Sequence, residues 1–341
     1  MVFRWFLQLV LLFSAFTAIA GAQQPLAPEL PVFRLKVRVE VVDAQVIEKK
    51  TQKPVSGVTR DDFQLYEDGK LQEITSFAQD EMPLSIVLLF DLTDSVRPVL
   101  KSLSQGALSA LHHLKPEDEI AVMTYAASAQ LVQDFTTDRD LAASAIEKAS
   151  RMESDEAAFF NEGMYQAAAQ LARSKNPASR RVIIWFTDDV PNIPSDETRA
   201  RYGQSLGKAP LHTAKQAVLE LLRTGTVVYT LLQRSRISDE QFSYNLSKTF
   251  DTQIARMQYP PGDVHQYSAG TGGHVFDGGR TKAAERLAEM IDGIHQRYAL
   301  SYHPSRPRSP GQFCAIRVRL SPEAKKRLGD VVVEAKSGYY R

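Results

Sequence analysis

The chain has 341 residues, and its 41 Lys and Arg residues nearly balance its 40 Asp and Glu residues, which gives a formal net charge of +1. This balance lacks the basic excess of a dedicated nucleic-acid-binding protein, and a hydrophobic fraction of 43% is too high for a disordered chain. The single cysteine, Cys314, excludes an intramolecular disulfide and a zinc site built from several thiolates. A chain of this length is expected to form about two domains.

Residues 1–22 have the pattern of a secretory signal peptide. Arg4 precedes a long apolar run, and small residues end at Ala22, so we predict that the mature chain begins at Gln23. The alternative is an uncleaved membrane anchor, because residues 3–22 approach the length that spans a bilayer. No later apolar run in the sequence is that long. The mature chain is therefore predicted to be secreted or periplasmic, without a stable membrane span.

A polar linker over residues 23–32 is followed by residues 33–43, in which apolar and charged side chains alternate. This period of two predicts a half-buried strand with Val39 and Val41 on its apolar face. Two further strands are predicted over residues 63–67 and 72–78, with a hairpin turn between them at Asp68-Gly69.

The same period of two returns near the C-terminus, where strands are predicted over residues 298–302, 313–320 and 331–336. A three-stranded piece at either end would bury too little apolar surface to be stable alone. We therefore expect the flanks, residues 33–82 and 298–341, to pair into one small β domain.

The central residues 83–297 have a different texture. Residues 84–90 (LSIVLLF) and 181–187 (RVIIWFT) are almost continuously apolar, which is typical of strands buried on both faces of a parallel sheet. Helical and strand-like segments alternate around them, and this predicts an α/β fold with a doubly wound, mainly parallel sheet. Helices are predicted over residues 98–114, 138–149, 162–174, 213–223 and 282–296, and shorter strands over 119–126, 130–135, 226–232 and 274–276.

Oxygen-bearing side chains follow both apolar strands. Asp91, Thr93 and Ser95 follow the first strand at a spacing of two residues, and Asp188 follows the second. Ligands of open α/β sheets bind outside the carboxyl ends of the strands, where neighbouring parallel strands bring such groups together. One or two carboxylates with hydroxyls suit a hard divalent cation such as Mg²⁺. The alternative is that the two aspartates only cap the helices that follow them.

These residues resemble the metal-ion-dependent adhesion site of von Willebrand factor A domains, whose motif is Asp-x-Ser-x-Ser with a later Thr and Asp. The flanks resemble one bacterial branch, the VWFA-related proteins typical of Acidobacteria, and the resemblance spans most of residues 33–341. The segments that carry it are 61–70 (DDFQLYEDGK), 270–273 (GTGG), 297–304 (RYALSYHP) and 337–340 (SGYY).

The resemblance implies that Asp91, Thr93, Ser95 and Asp188 bind Mg²⁺, or else Mn²⁺ or Ca²⁺. The sequence departs from the family at two places. Residues 157–163 (AAFFNEG) put Ala158 where the family has its Thr, unless Asn161 or Glu162 supplies the missing oxygen, and Asp189 stands where the family has Gly.

The family uses this metal to bind an acidic side chain of a partner. The resemblance therefore implies a non-enzymatic adhesion or scaffold protein with a protein or glycan partner. The sequence has no G-x-S-x-G elbow, no H-E-x-x-H motif and no Walker loop, which removes the usual support for hydrolase, zinc protease and NTPase activities. Two alternatives stay open: a scaffold that binds no metal, and a subunit of a metal-dependent enzyme complex.

Two neighbouring features have two interpretations each. The pair Phe159-Phe160 is either buried or forms an exposed apolar rim beside the metal site. The polar residues 233–266 follow a predicted strand toward the same rim, so they either shape partner specificity or form a solvated insertion without function. Residues 270–273 are predicted to form a turn and not a phosphate-binding loop, because a strand follows them.

Overall fold

The computed structural model describes residues 39–79, 82–93, 96–154, 158–189, 212–233, 263–277, 282–306 and 309–341. The predicted signal peptide and linker, Ser95, and most of residues 233–266 lie outside these ranges. No helix within the described ranges is long and apolar enough to cross a membrane.

The described elements alternate between strands and helices in the middle of the chain. The strands are β1 (Glu40–Glu48), β2 (Phe63–Glu67), β3 (Lys70–Gln72), β4 (Ile74–Gln79), β5 (Leu84–Asp91), β6 (Glu119–Tyr125), β7 (Ala129–Thr136), β8 (Arg180–Thr187), β9 (Val227–Leu232), β10 (Val275–Asp277), β11 (Tyr298–Tyr302), β12 (Phe313–Leu320), β13 (Val331–Ala335) and β14 (Gly338–Tyr340). The α-helices are α1 (Arg97–Leu111), α2 (Arg139–Ser150), α3 (Phe160–Leu171), α4 (Ala214–Thr224), α5 (Val264–Thr271), α6 (Ala283–Ile294) and α7 (Pro322–Leu328).

The central sheet has six strands in the order β10-β9-β8-β5-β6-β7, and its pairs are parallel except for β6 with β7. The apolar strands β5 and β8 lie side by side at its centre and are almost completely buried. Helices α1, α2 and α6 pack on one face of the sheet, and α3, α4 and α5 pack on the other. The predicted α/β fold with a doubly wound, mainly parallel sheet is therefore confirmed.

The two flanks form two antiparallel sheets, with strand orders β13-β1-β11-β4 and β14-β12-β2-β3. Each sheet combines strands from both ends of the chain. Their inner faces share one apolar core, to which Val42 and Leu300 contribute from the first sheet and Leu65 and Ile316 from the second. The predicted pairing of the flanks is confirmed, and it takes the form of a β-sandwich.

The hairpin predicted at Asp68-Gly69 is present between β2 and β3, with Glu67 opposite Lys70. Both turn residues have positive φ angles, 46° for Asp68 and 78° for Gly69, as the tight hairpin turn requires.

The predicted face of the first strand is wrong. Val39 and Val41 are 52% and 43% exposed, whereas Val42, Ala44 and Val46 are buried. The strand pairs with β11 and β13 over later residues than predicted, and a shift of one residue moves every side chain to the opposite face.

Two helices were also not predicted. Helix α7 lies in the charged segment after β12, and α5 ends in the predicted turn, where Gly272 has a φ of 81°. A Cβ atom on Gly272 would lie 2.4 Å from the main chain of Ala335 and Lys336, so this turn packs tightly against the end of β13.

A buried polar network joins the sandwich to the amino-terminal halves of β8 and β9; we call it the amino-end network, and it consists of Asp43, Gln45, Arg180, Tyr229 and Arg297. The Arg180 guanidinium donates to Asp43 at 2.9 and 3.2 Å and to the Ile294 carbonyl at 3.1 Å. Arg297 donates to the Tyr229 hydroxyl at 2.5 Å, and that hydroxyl donates to Gln45 Oε1 at 3.1 Å.

Candidate functional site

The predicted metal residues meet at the carboxyl ends of the two central strands. Asp91 is the last residue of β5, and the pairing of Phe90 with Phe186 puts the ends of β5 and β8 at the same edge of the sheet. Asp91, Thr93 and Asp188 are all buried there. Ser95 lies outside the described residues, so its part in the site stays a prediction.

The carboxylate of Asp91 accepts hydrogen bonds on both oxygens. Its Oδ1 accepts from the main-chain N–H of Thr93 at 2.9 Å. Its Oδ2 accepts from the hydroxyls of Tyr125 at 2.9 Å and Thr187 at 3.3 Å. These bonds fix the carboxylate at the edge of the sheet and hold the main chain of Thr93 against it.

The alternative role of Asp91 as a helix cap is not what the structure shows. Helix α1 begins at Arg97 with Val96 at its N-cap, and no side chain caps it there. The hydrogen bond of Asp91 to the Thr93 N–H instead organises the loop that precedes the helix.

Burial raises the pKa of Asp91 to about 7; the hydrogen bond from the Thr93 N–H opposes this, and the charge of Asp188 raises the pKa further. The neighbouring charge that acts on Asp91 is thus a second carboxylate and not a cation. The carboxylates of Asp91 and Asp188 and the hydroxyl of Thr93 are all buried at this edge of the sheet. Such a set of oxygen atoms fits a hard divalent cation.

A hydrogen-bonded chain of side chains supports Asp91 from below. The indole N–H of Trp185 donates to the Tyr125 hydroxyl at 2.9 Å, and Tyr125 donates in turn to Asp91. Burial raises the pKa of Tyr125 well above its ordinary value, so the phenol stays protonated and keeps donating. This role of Tyr125 is not predicted from the sequence, although Tyr125 ends β6 directly opposite Asp91.

The aromatic pair before α3 is divided between two environments. Phe160 is buried, and its ring lies 5.1 Å from that of Trp185 and 6.1 Å from that of Tyr125. Phe159 is half-buried at the N-cap of α3. Burial is therefore the correct interpretation for Phe160, which forms the apolar floor under the site.

The position of the missing Thr is occupied by a core residue. Ala158 is 3% exposed and packs in the same apolar cluster as Phe160. Both proposed substitutes have other partners: Asn161 Oδ1 accepts from the Tyr267 hydroxyl at 2.6 Å, and Glu162 bonds to His212 Nδ1 at 2.7 Å. Ala158 supplies no side-chain oxygen at this position.

Asp189 follows Asp188 in the loop after β8, at the edge of the sheet that we call the rim. Its φ of 59° is the left-handed conformation that a Gly adopts without strain, and its Oδ1 accepts from the main-chain N–H of Val264 at 3.1 Å. Burial raises the pKa of Asp189 to about 6; the Val264 N–H opposes the rise, and the charge of Asp263 adds to it. Asp189 therefore ties the loop after β8 to the first residue of α5, and this brings the end of the polar segment 233–266 to the rim.

Residues 86–190 match the sequence model of the von Willebrand factor type A domain family. This part of the chain is similar to von Willebrand factor type A domains. The match includes the strands β5, β6 and β8 and all four predicted metal residues, and the order of the central strands agrees with an α/β fold of this type.

Solved structures show weak likeness to the chain. A von Willebrand factor type A protein from Catenulispora acidiphila matches with a TM-score of 0.43 and 11% identity, over 90% of this chain and 75% of that one. A variant of the PilB minor pilin from Streptococcus sanguinis gives 0.42 and 12%, over 77% and 80%.

Proximal thread matrix protein 1 from the mussel byssus, with a zinc-occupied MIDAS motif, gives a TM-score of 0.39 and 9% identity, over 64% of this chain and 49% of that one. These likenesses carry no argument, and the similarity to von Willebrand factor type A domains rests on the sequence match over residues 86–190. A search among curated proteins gave no match.

Proposed function

We propose that the chain is a secreted or periplasmic interaction protein without catalytic activity, and that its von Willebrand factor type A domain binds Mg²⁺, Mn²⁺ or Ca²⁺ through Asp91, Thr93, Ser95 and Asp188. The observation that carries the proposal is the pair of buried, mutually repelling carboxylates at the carboxyl edge of the parallel sheet. A divalent cation between them would turn this repulsion into attraction.

The bound cation would supply one coordination position for a carboxylate of a protein or glycan partner. The residues of this chain have separate tasks. Asp91 and Asp188 supply negative charge, Thr93 supplies a hydroxyl, and Tyr125 keeps Asp91 in one orientation through its hydrogen bond at 2.9 Å. The family branch typical of Acidobacteria, the cleavage of residues 1–22 and the export of the chain belong to the same proposal.

The test is the thermal midpoint of the mature chain with Mg²⁺, Mn²⁺ or Ca²⁺ and with a chelator. A ligand that binds only the folded state at a hundred times its Kd stabilises it by about 2.7 kcal/mol, which raises the midpoint by several degrees. We expect Asp91→Asn and Asp188→Asn each to remove the rise. Asp140→Asn, which removes an exposed carboxylate of α2, is the matched control and should keep it. An unchanged midpoint with all three cations would contradict metal binding.

Partner binding is tested with a peptide that carries a single glutamate and with its glutamine counterpart. Binding that requires both the cation and the glutamate supports the proposal. Equal binding of the two peptides would show that the cation does not hold the partner's carboxylate.

A metal-independent scaffold is the second candidate, because both oxygens of Asp91 already accept hydrogen bonds from the protein and Ala158 adds no oxygen. This candidate predicts the same thermal midpoint with cations and with chelator, so the first experiment separates the two.

A further inference from the structure

The β-sandwich contains a groove with a volume of about 600 Å³, and none of the predicted metal residues that the structure describes lines it. It lies between β12, which belongs to one sheet, and β13, which belongs to the other. Its lining includes Tyr66, Arg317 and Arg319 on one side and Val333 and Ala335 on the other. We call it the sandwich groove.

Both strands present an edge to the sandwich groove. The pairing of β14 with β12 covers Phe313 to Ala315, and the Ile316 N–H donates to the Ser337 carbonyl at 2.8 Å. The main chain of β12 therefore points its even-numbered residues to this side. Beyond Ile316, no strand among the described residues pairs with this edge of β12.

The edge of β13 is arranged in the complementary way. β13 pairs with β1 on one side, where the Asp330 carbonyl accepts from Lys49 N–H at 3.1 Å. The N–H and C=O groups of Val333 and Ala335 thus face away from β1 and into the groove. Within the described residues β1 is the only strand that pairs with β13.

An edge of this kind is normally protected by Lys, Pro or a bulge, because it would otherwise pair with another chain. The sequence of β13 is VVVEA, which has high β propensity and contains neither Lys nor Pro. Lys336, which follows β13 and also lines the groove, donates its ammonium to the Val41 carbonyl at 3.0 Å. The one charged residue of β13, Glu334, bonds to His274 of the α/β domain at 2.5 Å and does not protect the groove. The edge is thus suited to accept a strand.

The charge of the groove indicates what kind of strand. Arg317 and Arg319 are exposed, and neither forms an ion pair with any acidic residue in the described part of the chain. The Arg319 guanidinium lies 5.9 Å from the centre of the Tyr66 ring. Two guanidinium groups beside an unpaired strand edge are complementary to carboxylates spaced along an extended peptide.

We propose that the sandwich groove binds an acidic peptide of a partner protein in extended conformation, which adds a strand to the edge of β13 and places its carboxylates against Arg317 and Arg319. Main-chain hydrogen bonds supply affinity in this mode, and the side chains supply specificity. The site is separate from the metal residues of the rim and does not depend on them.

The experiment measures binding of a fluorescent eight-residue Glu-Val repeat to the full mature chain by anisotropy. Chelator is present throughout, so a cation at Asp91 and Asp188 cannot contribute. We expect the Glu-Val peptide to bind at least tenfold more tightly than a Gln-Val repeat, and a Lys-Val repeat not to bind. A Glu-Val peptide with N-methylated amides should lose binding, because it keeps the charges and lacks the N–H groups.

Two charge-reversed variants complete the test. Arg317→Glu/Arg319→Glu changes exposed side chains and should weaken binding at least tenfold. Lys325→Glu/Lys326→Glu makes the same change of charge on the exposed face of the neighbouring helix α7 and should leave binding unchanged. Equal effects of the two variants, or equal binding of the N-methylated peptide, would overturn the proposal.

Two further outcomes would assign the groove to another occupant and also overturn it. A dimer that Arg317→Glu/Arg319→Glu dissociates, with no peptide binding, would show that a second copy fills the groove. A monomer that binds no peptide would be the result if residues 23–38 of the same chain fill it.

Discussion

The two ends of the parallel sheet handle buried charge in opposite ways. At the amino end, burial alone would raise the pKa of Asp43, but the charge and hydrogen bonds of Arg180 hold it below its ordinary value. At the carboxyl end, burial and the charge of Asp188 together raise the pKa of Asp91 to about 7. The amino end thus holds its carboxylate beside cations of the same chain, whereas the carboxyl end brings two carboxylates together and is suited to an external positive charge.

The largest effect is expected from breaking the ion pair between Arg180 and Asp43 at the amino end of the sheet. Arg180→Ala should lower the free energy of unfolding by about 4 kcal/mol, because it removes the guanidinium that is hydrogen-bonded to the Asp43 carboxylate in a largely buried place and leaves only the charges of Arg297 and Lys336 near it. Urea denaturation measures the change. Arg181→Ala, which removes a half-buried neighbour bonded to the Thr224 carbonyl at 2.9 Å, should cost about 1 kcal/mol. Equal costs for the two variants would mean that the ion pair has no special role.

At the carboxyl end of the sheet, the raised pKa of Asp91 should make the free energy of unfolding depend on pH. The folded pKa of Asp91, about 7, lies above the unfolded value of 3.8, so the folded chain binds more protons between these values and stability falls as pH rises through them. From about pH 5 to about pH 8, Asp91 should contribute about 2.5 kcal/mol to this loss.

Denaturation of the wild type and of Asp91→Asn in chelator, at both pH values, measures that contribution. The variant should lose less stability than the wild type by this amount, and Asp140→Asn should lose as much as the wild type. A saturating divalent cation should reduce the wild-type loss, because it favours the ionised carboxylate. The same slope for wild type and Asp91→Asn would show that Asp91 titrates elsewhere.

A side-chain oxygen at residue 158, where the family has Thr, should strengthen cation binding at the carboxyl end of the sheet. Ala158→Thr should tighten Mg²⁺ binding about tenfold, or about 1.4 kcal/mol, measured by calorimetry. Ala158→Val has nearly the same shape without the oxygen and should bind no more tightly than the wild type. A gain with Val as well as Thr would assign the effect to packing and not to coordination.

The smallest effect is expected within the amino-end network. Tyr229→Phe removes the hydroxyl that accepts from Arg297 and donates to Gln45, and should cost about 1 kcal/mol in the free energy of unfolding. Tyr66→Phe removes a hydroxyl that donates only to Gln64 on the accessible side of β2, and should change stability less. Equal losses of stability for the two variants would mean that the hydroxyl in the buried network contributes no more than the hydroxyl on the accessible side of β2.

The sequence was most informative where a pattern is strictly local. Continuous apolar runs predicted β5 and β8, and the hairpin dipeptide predicted the turn at Asp68 and Gly69. The position of Asp91 and Asp188 at one edge followed from the rule that ligands bind at the carboxyl ends of parallel strands. The apolar runs and the turn depend on residues that are close together in sequence, and the shared edge follows from a general rule of parallel sheets.

The features that were missed depend on pairing over long distances. The face of β1 is set by β11 and β13, which lie more than two hundred residues away in sequence. Tyr125 on β6 reaches Asp91 on the neighbouring strand β5, and Arg180 on β8 reaches Asp43 on β1 of the sandwich. Periodicity carries no information on such contacts, because the same alternation is compatible with either face of a strand.

Helix α5 touches both proposed binding regions. Its first N–H, on Val264, donates to Asp189 at the rim, and its C-terminal Gly272 packs against Ala335 and Lys336 at the sandwich groove. Eight residues of α-helix span only about 12 Å. Any side chain at residue 272 would collide with the end of β13, so the proposed metal site and the strand that would receive the peptide lie only one short helix apart.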